Sequence, residues 1–335
     1  MPARCQQMAN IRSRVGRQAN RGGRGLSLIE LLVSITIGVV LAFAAVNLFL
    51  QSKLAYLQDQ ELARLQENGR YALRYLSHEL SMAGFLATEV PGRRVSASES
   101  GSQCFDHLMN TATSVEHLDD VSANGTPAGA GPGLPPDCLV AGKLQAGSDL
   151  VLVRRTADTP SIFQGEPRGA TDPNNIYLRI PMDTGVPGLQ RGVGTVPGAS
   201  LWEYVPQVLF LRRYSVVPGD GVPALCRKRL GRSSNDMAPT ECLVEGVENM
   251  QIEFGIDETG DRRPDRFDPQ PAPDEMAAAV AARIYLLLRS VHPVVGHLDS
   301  RFYQLGSHRI SAANDSHFRR VMQTTVLLRN AGVFR

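Results

Sequence analysis

The feature that most constrains this chain is an unbroken apolar run near its N-terminus. Leu26 to Leu50 covers 25 residues, and Glu30 is the only charged side chain in it. An α-helix rises about 1.5 Å per residue, so a helix of this length can cross a hydrocarbon core about 30 Å thick. The sequence therefore predicts one membrane-spanning helix at the start of the chain.

The charges that flank this run are asymmetric. Residues 1–25 hold six arginines and no acidic residue, whereas the first basic residue after the run is Lys53. Because basic flanks stay on the cytoplasmic side, we expect a single-pass membrane protein with a cytoplasmic N-terminus and with the chain after Leu50 on the other side. The whole chain has 35 basic and 33 acidic residues, so its charge does not indicate a nucleic-acid partner.

Three interpretations of the apolar run compete. A cleaved secretory signal would need a shorter apolar stretch and a small-residue cleavage site, which Ala42 to Ala44 could supply. A plain membrane anchor explains the length and the orientation but gives Glu30 no role. A carboxylate inside a membrane costs a few kcal/mol and usually marks a function with a partner. The third interpretation, in which Glu30 has such a partner, is therefore preferred.

The residues from Gly25 to Glu30, GLSLIE, resemble the N-terminal signal of type IV prepilins. The resemblance implies that prepilin peptidase cuts between Gly25 and Leu26, and that Leu26 becomes the N-methylated first residue. It also implies that Glu30 pairs with the α-amino group of a neighbouring subunit. Such an amine has a pKa of roughly 7.7 to 8.0, so at neutral pH it is largely cationic and can neutralise the carboxylate.

A helical pattern continues beyond the membrane run. Between Lys53 and Ala83 there is no proline, apolar residues recur at spacings near 3.6, and Gly84 suits a helix C-terminus. The predicted organisation is a removed leader at 1–25, a long helix at 26–84 (transmembrane at 26–52, amphipathic at 53–84) and a β-rich periplasmic head at 85–335.

The head is predicted to be rich in β-strands and in loops. Residues 91–147 and 156–175 are rich in Gly, Ser, Pro, Asn and Asp, and we expect long loops with little regular structure there. The fold class is α+β and pilin-like, with the long helix packed on an antiparallel sheet. Runs of strand-forming residues predict strands at 149–154, 176–180, 201–205, 208–217, 246–254, 282–290 and 320–329.

Three blocks of the head, 243–257, 282–290 and 319–330, resemble PilW-type minor pilins. This resemblance implies a structural or priming subunit of a type IV pilus, at or near the tip, with no catalysis. Its partners would be prepilin peptidase, the major pilin and other minor pilins, first in the inner membrane and then in the pilus at the cell surface. The alternatives are a pseudopilin of a type II secretion system and a single-pass, membrane-anchored periplasmic binding protein or enzyme.

Four cysteines follow the predicted leader: Cys104, Cys138, Cys226 and Cys242. An even number of cysteines in an oxidising compartment favours two disulfides, although sequence alone allows three connectivities. We expect pairing between nearest neighbours in sequence, because each bond would then close a Gly- or Ser-rich loop.

Candidate sites for enzyme or metal chemistry are sparse. The sequence has no GxSxG, HExxH, P-loop or dinucleotide-binding motif, so neither a cofactor nor catalytic residues are predicted. The acidic residues Asp257, Asp261 and Asp265 give a weak calcium candidate, although their spacing departs from an EF-hand loop. The histidines are scattered and are interpreted as surface or packing residues: His78, His107, His117, His292, His297, His308 and His317.

Overall fold

The computed structural model describes residues 27–87, 95–126, 133–182, 185–194 and 198–330. The predicted leader, which ends at Gly25, and the predicted first mature residue, Leu26, lie outside the described residues. The chain divides into two units between Ala55 and Tyr56. One helix, α1 (Leu28–Met82), contributes residues to both units.

Local interactions define both ends of α1. At its start, the Ser27 hydroxyl accepts a hydrogen bond from the Glu30 backbone N–H at 3.3 Å, as an N-cap residue does. After its end, Gly84 has a φ of +79°, a left-handed conformation that glycine adopts without steric cost. A Cβ at Gly84 would lie 2.7 Å from the Ser114 hydroxyl and 2.8 Å from the Asn330 carbonyl oxygen. Glycine is therefore required where the chain leaves the helix.

The head contains two short helices and several strands among the described residues. The helices are α2 (Gln103–Met109) and α3 (Pro273–Met276). The strands are β1 (Ser96–Ala97), β2 (Val115–Val121), β3 (Ser148–Val153), β4 (Ile162–Phe163), β5 (Glu166–Pro167), β6 (Ile176–Ile180), β7 (Gly188–Arg191), β8 (Ser200–Glu203), β9 (Gln207–Arg212), β10 (Ala224–Arg229), β11 (Glu241–Glu245), β12 (Val247–Ile256), β13 (Arg266–Asp268), β14 (Ala279–Arg289), β15 (Tyr303–Leu305), β16 (His308–Ile310) and β17 (Arg319–Leu327).

In the described part of the head these strands form three sheets and a separate hairpin. Sheet 1 has the strand order β1-β7-β6-β8-β4-β5, sheet 2 the order β11-β10-β9-β3-β2, and sheet 3 the order β13-β12-β14-β17. The hairpin consists of β15 and β16. The β1–β7 pair is parallel, and sheets 2 and 3 are antiparallel. The predicted α+β class is confirmed.

The second half of α1 supplies one side of the main core. Leu76 and Leu80 are fully buried, in one apolar cluster with residues of sheets 2 and 3 such as Leu209 and Ile284. The helix approaches sheet 3 so closely at Gly69 that a Cβ there would collide with the side chains of Leu288 and Met322. The packing of α1 therefore depends on a residue without a side chain at this crossing.

A second core lies on the other face of sheet 2, and α2 packs against it. Cys104 of α2 is bonded to Cys138, with a Cα–Cα distance of 4.9 Å. Cys226 of β10 is bonded to Cys242 of β11, with a Cα–Cα distance of 3.9 Å. The four cysteines thus pair between nearest neighbours in sequence, which is the connectivity that we expected.

The prediction of long loops was wrong for parts of both segments. Within 91–147 the chain forms α2 and β2, and within 156–175 it forms the short β4–β5 hairpin. Helix α2 begins after Ser102, whose hydroxyl accepts a hydrogen bond from the Phe105 backbone N–H. Tertiary contacts stabilise these elements, because α2 buries Phe105 and Leu108 in the head although its composition predicts a loop.

Strand β9 ends at Arg212, earlier than the predicted boundary at 217. The reason is a turn organised by Asp220, whose carboxylate accepts hydrogen bonds from the backbone N–H groups of Val216 and Val217 at 2.9 and 3.2 Å. Valines favour strands in general, but here their donors are used by the turn.

Candidate functional site

The N-terminal part of α1 exposes its apolar side chains. Ile29, Phe43 and Phe49 are about 70% exposed, and none of the most apolar stretch of the helix is buried within the chain. By length and composition, α1 is able to cross a membrane. An apolar surface of this extent requires lipid or other apolar chains around it.

Polar side chains in this segment are satisfied by the helix itself, with one exception. The Ser34 hydroxyl donates to the Glu30 carbonyl oxygen at 2.7 Å, and the Thr36 hydroxyl donates to the Val33 carbonyl oxygen at 2.9 Å. The Asn47 side-chain amide donates to the Phe43 carbonyl oxygen at 3.0 Å. These bonds remove the cost of placing hydroxyl and amide groups in an apolar medium.

The exception is the carboxylate of Glu30. It lies in the first turn of α1, where the helix dipole favours a negative charge. Among the residues that the structure describes, no hydrogen bond or ion pair reaches the side-chain oxygens of Glu30. Chemically, the group is a carboxylate at the edge of an apolar helix that can accept an ammonium group. Gly25 and Leu26, the predicted cleavage pair, lie outside the described residues, so the cleavage site stays a prediction.

The predicted calcium loop has a different arrangement from a cation site. The Asp257 carboxylate accepts hydrogen bonds from the backbone N–H groups of Gly260 and Arg262 at 2.6 and 2.9 Å. The Asp265 carboxylate accepts from the backbone of Glu258 at 2.7 Å. Both side chains thus bind the loop's own backbone, and calcium binding at Asp257, Asp261 and Asp265 stays an untested prediction.

A polar cluster that the sequence analysis missed lies where β2 and β3 pair. His117 Nε2 is 3.0 Å from Asp149 Oδ2, and both side chains are almost completely buried. Asp119 lies beside them, and the ligand atoms of these three residues all lie within 4.8 Å of one another. His117 was interpreted as a surface or packing residue. Alternation along the strand could not reveal the cluster, because a bulge in β2 brings the residues together.

The electrostatics of this cluster are unusual for the head. Burial, together with the negative charges of Asp149 and Asp120, raises the pKa of Asp119 to about 6, although His117 opposes the shift. The Asp120 carboxylate lies 3.2 Å from His308 Nδ1. In the described head, imidazoles rather than guanidinium groups therefore face these carboxylates.

Two family models match parts of the chain. Residues 213–330 match the family model described as Type IV Pilus-assembly protein W. Residues 20–46 match the prokaryotic N-terminal methylation motif. Over residues 213–330 the chain is therefore similar to PilW-type pilus-assembly proteins, and its N-terminus carries a prepilin-type methylation motif. Both resemblances seen in the sequence are confirmed, and the PilW match favours pilus assembly over the pseudopilin alternative.

Similarity to individual proteins comes from solved structures. No curated protein matches it significantly. Among solved structures it is similar to "Type IV-like pilin TTHA1219 from Thermus thermophilus", with 12% sequence identity and a TM-score of 0.36, over 80% of this chain and 98% of that one. The matched families are structural, and the prepilin signal implies processing and assembly with other pilus components.

Proposed function

We propose that this chain is made as a precursor, cut by prepilin peptidase between Gly25 and Leu26, and methylated on the new amine of Leu26. Residues 26–52 then hold it in the inner membrane with its head in the periplasm. From there it joins the major pilin and other minor pilins, and it acts as a structural or priming subunit at or near the tip of a type IV pilus.

The observation that carries this proposal is the carboxylate of Glu30. The other polar side chains of the apolar segment bond to their own helix, but Glu30 has no partner among the described residues. An unpaired carboxylate in an apolar medium is costly, so its presence favours a partner supplied by another chain. A cleaved neighbour would present such a partner as its N-terminal ammonium group.

The arginine-rich leader supports the orientation. Its six arginines keep it on the cytoplasmic side, where the cut would separate the charges from the apolar helix. Removing the leader would allow the helix to leave the bilayer sideways into a growing filament, because no charged segment would then remain on its cytoplasmic end.

Processing is tested by the intact mass of the protein purified from membranes. We expect a first residue at Leu26 with one added methyl group. Gly25→Val should leave the precursor uncut, because a side chain at the cut site obstructs the approach of the peptidase to the backbone. Gly38→Val is the matched control, since it makes the same change in the same segment where a Cβ meets no neighbouring atom.

Two results would contradict the proposal. One is a wild-type membrane form that keeps its leader or begins near Ala45. The other is equal processing of Gly25→Val and Gly38→Val, which would mean that the cut does not depend on Gly25.

A further inference from the structure

The head contains a buried set of metal-ligating side chains that pilus assembly does not explain. We propose that His117, Asp119 and Asp149 bind a divalent transition-metal ion of the zinc class. The proposal does not depend on the cleavage or the assembly of the chain, because all three residues lie in the head.

A bulge in β2 brings the three side chains together. Leu118 pairs with Leu150 and Val121 pairs with Ser148, so Asp119 and Asp120 both lie opposite the single residue Asp149. At the bulge, Asp120 has a φ of +45°, which is uncommon for a residue with a side chain. Bulges reorient side chains locally, and this one places Asp119 next to Asp149.

The distances are close to those of a zinc site. Zinc binds nitrogen and oxygen ligands at about 2.0 to 2.2 Å in a tetrahedral arrangement, which separates two ligand atoms by roughly 3.4 Å. His117 Nε2 and Asp149 Oδ2 are already 3.0 Å apart, and all three ligand atoms lie within 4.8 Å. A small rotation of the Asp119 side chain would complete the set. The ion would replace the hydrogen bond between His117 and Asp149, and any proton on the ligating nitrogen would be released to solvent.

The buried ligands are held in place by a surrounding shell. The Asp149 carboxylate accepts hydrogen bonds from the backbone N–H of Ile252 at 2.6 Å and from that of Asp120 at 3.1 Å. The His117 ring packs edge-on against Phe254, with ring centroids 5.2 Å apart. Such outer contacts fix ligand orientation in metal sites. They hold these two ligands in position before any ion arrives.

The partners of two other buried acids, one in α1 and one in the head, point in the same direction. Glu79 and Asp299 pair with arginines, Arg155 and Arg319. Asp149 is just as buried but pairs with a histidine, and no arginine or lysine in the described residues forms an ion pair with Asp119 or Asp149. An imidazole can bind a metal ion and a guanidinium cannot.

The donor set selects the class of ion. One imidazole nitrogen and two carboxylate oxygens suit zinc or a similar borderline ion, whereas calcium prefers six or more oxygen ligands. Asp120, next to Asp119 in the bulge, pairs with His308, and these two side chains are 27% and 31% exposed. Water can therefore complete the coordination from that side.

The test uses the full chain, solubilised in detergent and stripped of metal with a chelator. Zinc binding is measured by calorimetry and by metal content after dialysis. We expect one zinc ion per chain in the wild type and at least tenfold weaker binding for Asp119→Asn. Asp274→Asn is the matched control, because Asp274 is an exposed aspartate in a different element of the head, helix α3. It should bind zinc as the wild type does.

Circular dichroism confirms that each variant is folded before binding is compared. Equal zinc uptake by the wild type and Asp119→Asn would overturn the proposal, as would a folded wild type that retains no zinc. Calcium added in excess should not displace the zinc, and displacement by an equal concentration of calcium would overturn the zinc class.

Discussion

The two parts of α1 are one helix in sequence but opposites in environment. Leu41, in the first part, is 64% exposed, whereas Leu76, in the second, is fully buried against the sheets. Both are leucines in a regular helix, so local propensity does not distinguish them. The second part buries its apolar side chains within the chain. The first part exposes them, so lipid or another apolar chain must cover them.

The acidic side chains of α1 repeat this contrast. Glu79 is buried, and both of its carboxylate oxygens accept hydrogen bonds from Arg155, at 2.6 and 2.8 Å. Glu30 receives no such bond from the described residues. Glu79 is thus neutralised within the chain, and the pairing proposed for Glu30 would need a partner from another chain.

The largest effect is expected from Glu30→Ala. If Glu30 compensates a neighbour's amine in the filament, its removal leaves a buried charge unpaired at a cost of about 3 to 5 kcal/mol. The variant should still be processed, but its recovery in sheared pili should fall at least tenfold relative to its amount in membranes. Immunoblots of the two fractions measure this ratio.

Glu67→Ala provides the control for Glu30→Ala, because Glu67 is an exposed acid on the same helix. It should enter pili like the wild type. Equal recovery of the Glu30 and Glu67 variants in pili would refute the pairing hypothesis. The difference between Glu30 and Glu79 would then have no role in assembly.

A smaller effect is expected when equivalent leucines are shortened in the two parts of α1. Leu76→Ala deletes fully buried methyl groups and should lower the free energy of unfolding by about 2 to 5 kcal/mol. Leu41→Ala should leave it unchanged, because Leu41 has no part in the core. Urea unfolding, followed by the fluorescence of the single tryptophan, Trp202, measures both in detergent. Equal losses of unfolding free energy for the two variants would show that both parts of the helix contribute alike to the stability of the chain.

The smallest expected effect is on the pH dependence of the head. Burial alone would raise the pKa of Glu116, but a hydrogen bond with His107 and the charge of Arg154 outweigh it and lower the pKa to about 2. Because the folded pKa lies below the unfolded one, this stabilisation is complete above pH 4.5 and is lost as the pH falls through about 2. It amounts to roughly 3 kcal/mol.

Unfolding experiments at several pH values between 7 and 2 check this expectation. Glu116→Gln should be less stable at pH 7 and should lose less stability than the wild type below pH 4.5. Glu67→Gln serves as the exposed control and should follow the wild-type profile. A Glu116→Gln profile parallel to that of the wild type would show that the ionisation of Glu116 does not cause the loss of stability in acid.

The sequence predicted the helix, the main strands and the cysteine pairing, because each depends on local pattern. The run around Leu76 is periodic, β14 has a long apolar stretch, and apolar and polar residues alternate along much of β12. Helix α2 was missed, because its stability comes from burying Phe105 rather than from its composition. The cluster around His117 was missed for a related reason: a bulge changes which residues are neighbours, and no local pattern marks where a bulge lies.

A contact between the C-terminal end of α1 and the residues that follow β17 has a consequence for how the chain folds as it is made. The Asn330 side-chain amide donates to the Ser81 carbonyl oxygen at 3.3 Å, across 249 positions of sequence. Helix α1 is synthesised first and β17 last, so the helix must wait for its final neighbours. Contacts of such high sequence separation slow folding. Meanwhile the local β10–β11 hairpin, with its cysteines 16 positions apart, can close early. A chain interrupted before β17 would therefore keep the disulfide-bonded hairpin but lose the β17 residues that pack beside α1, such as Met322. The apolar surface left exposed there would make it a target for chaperones and proteases.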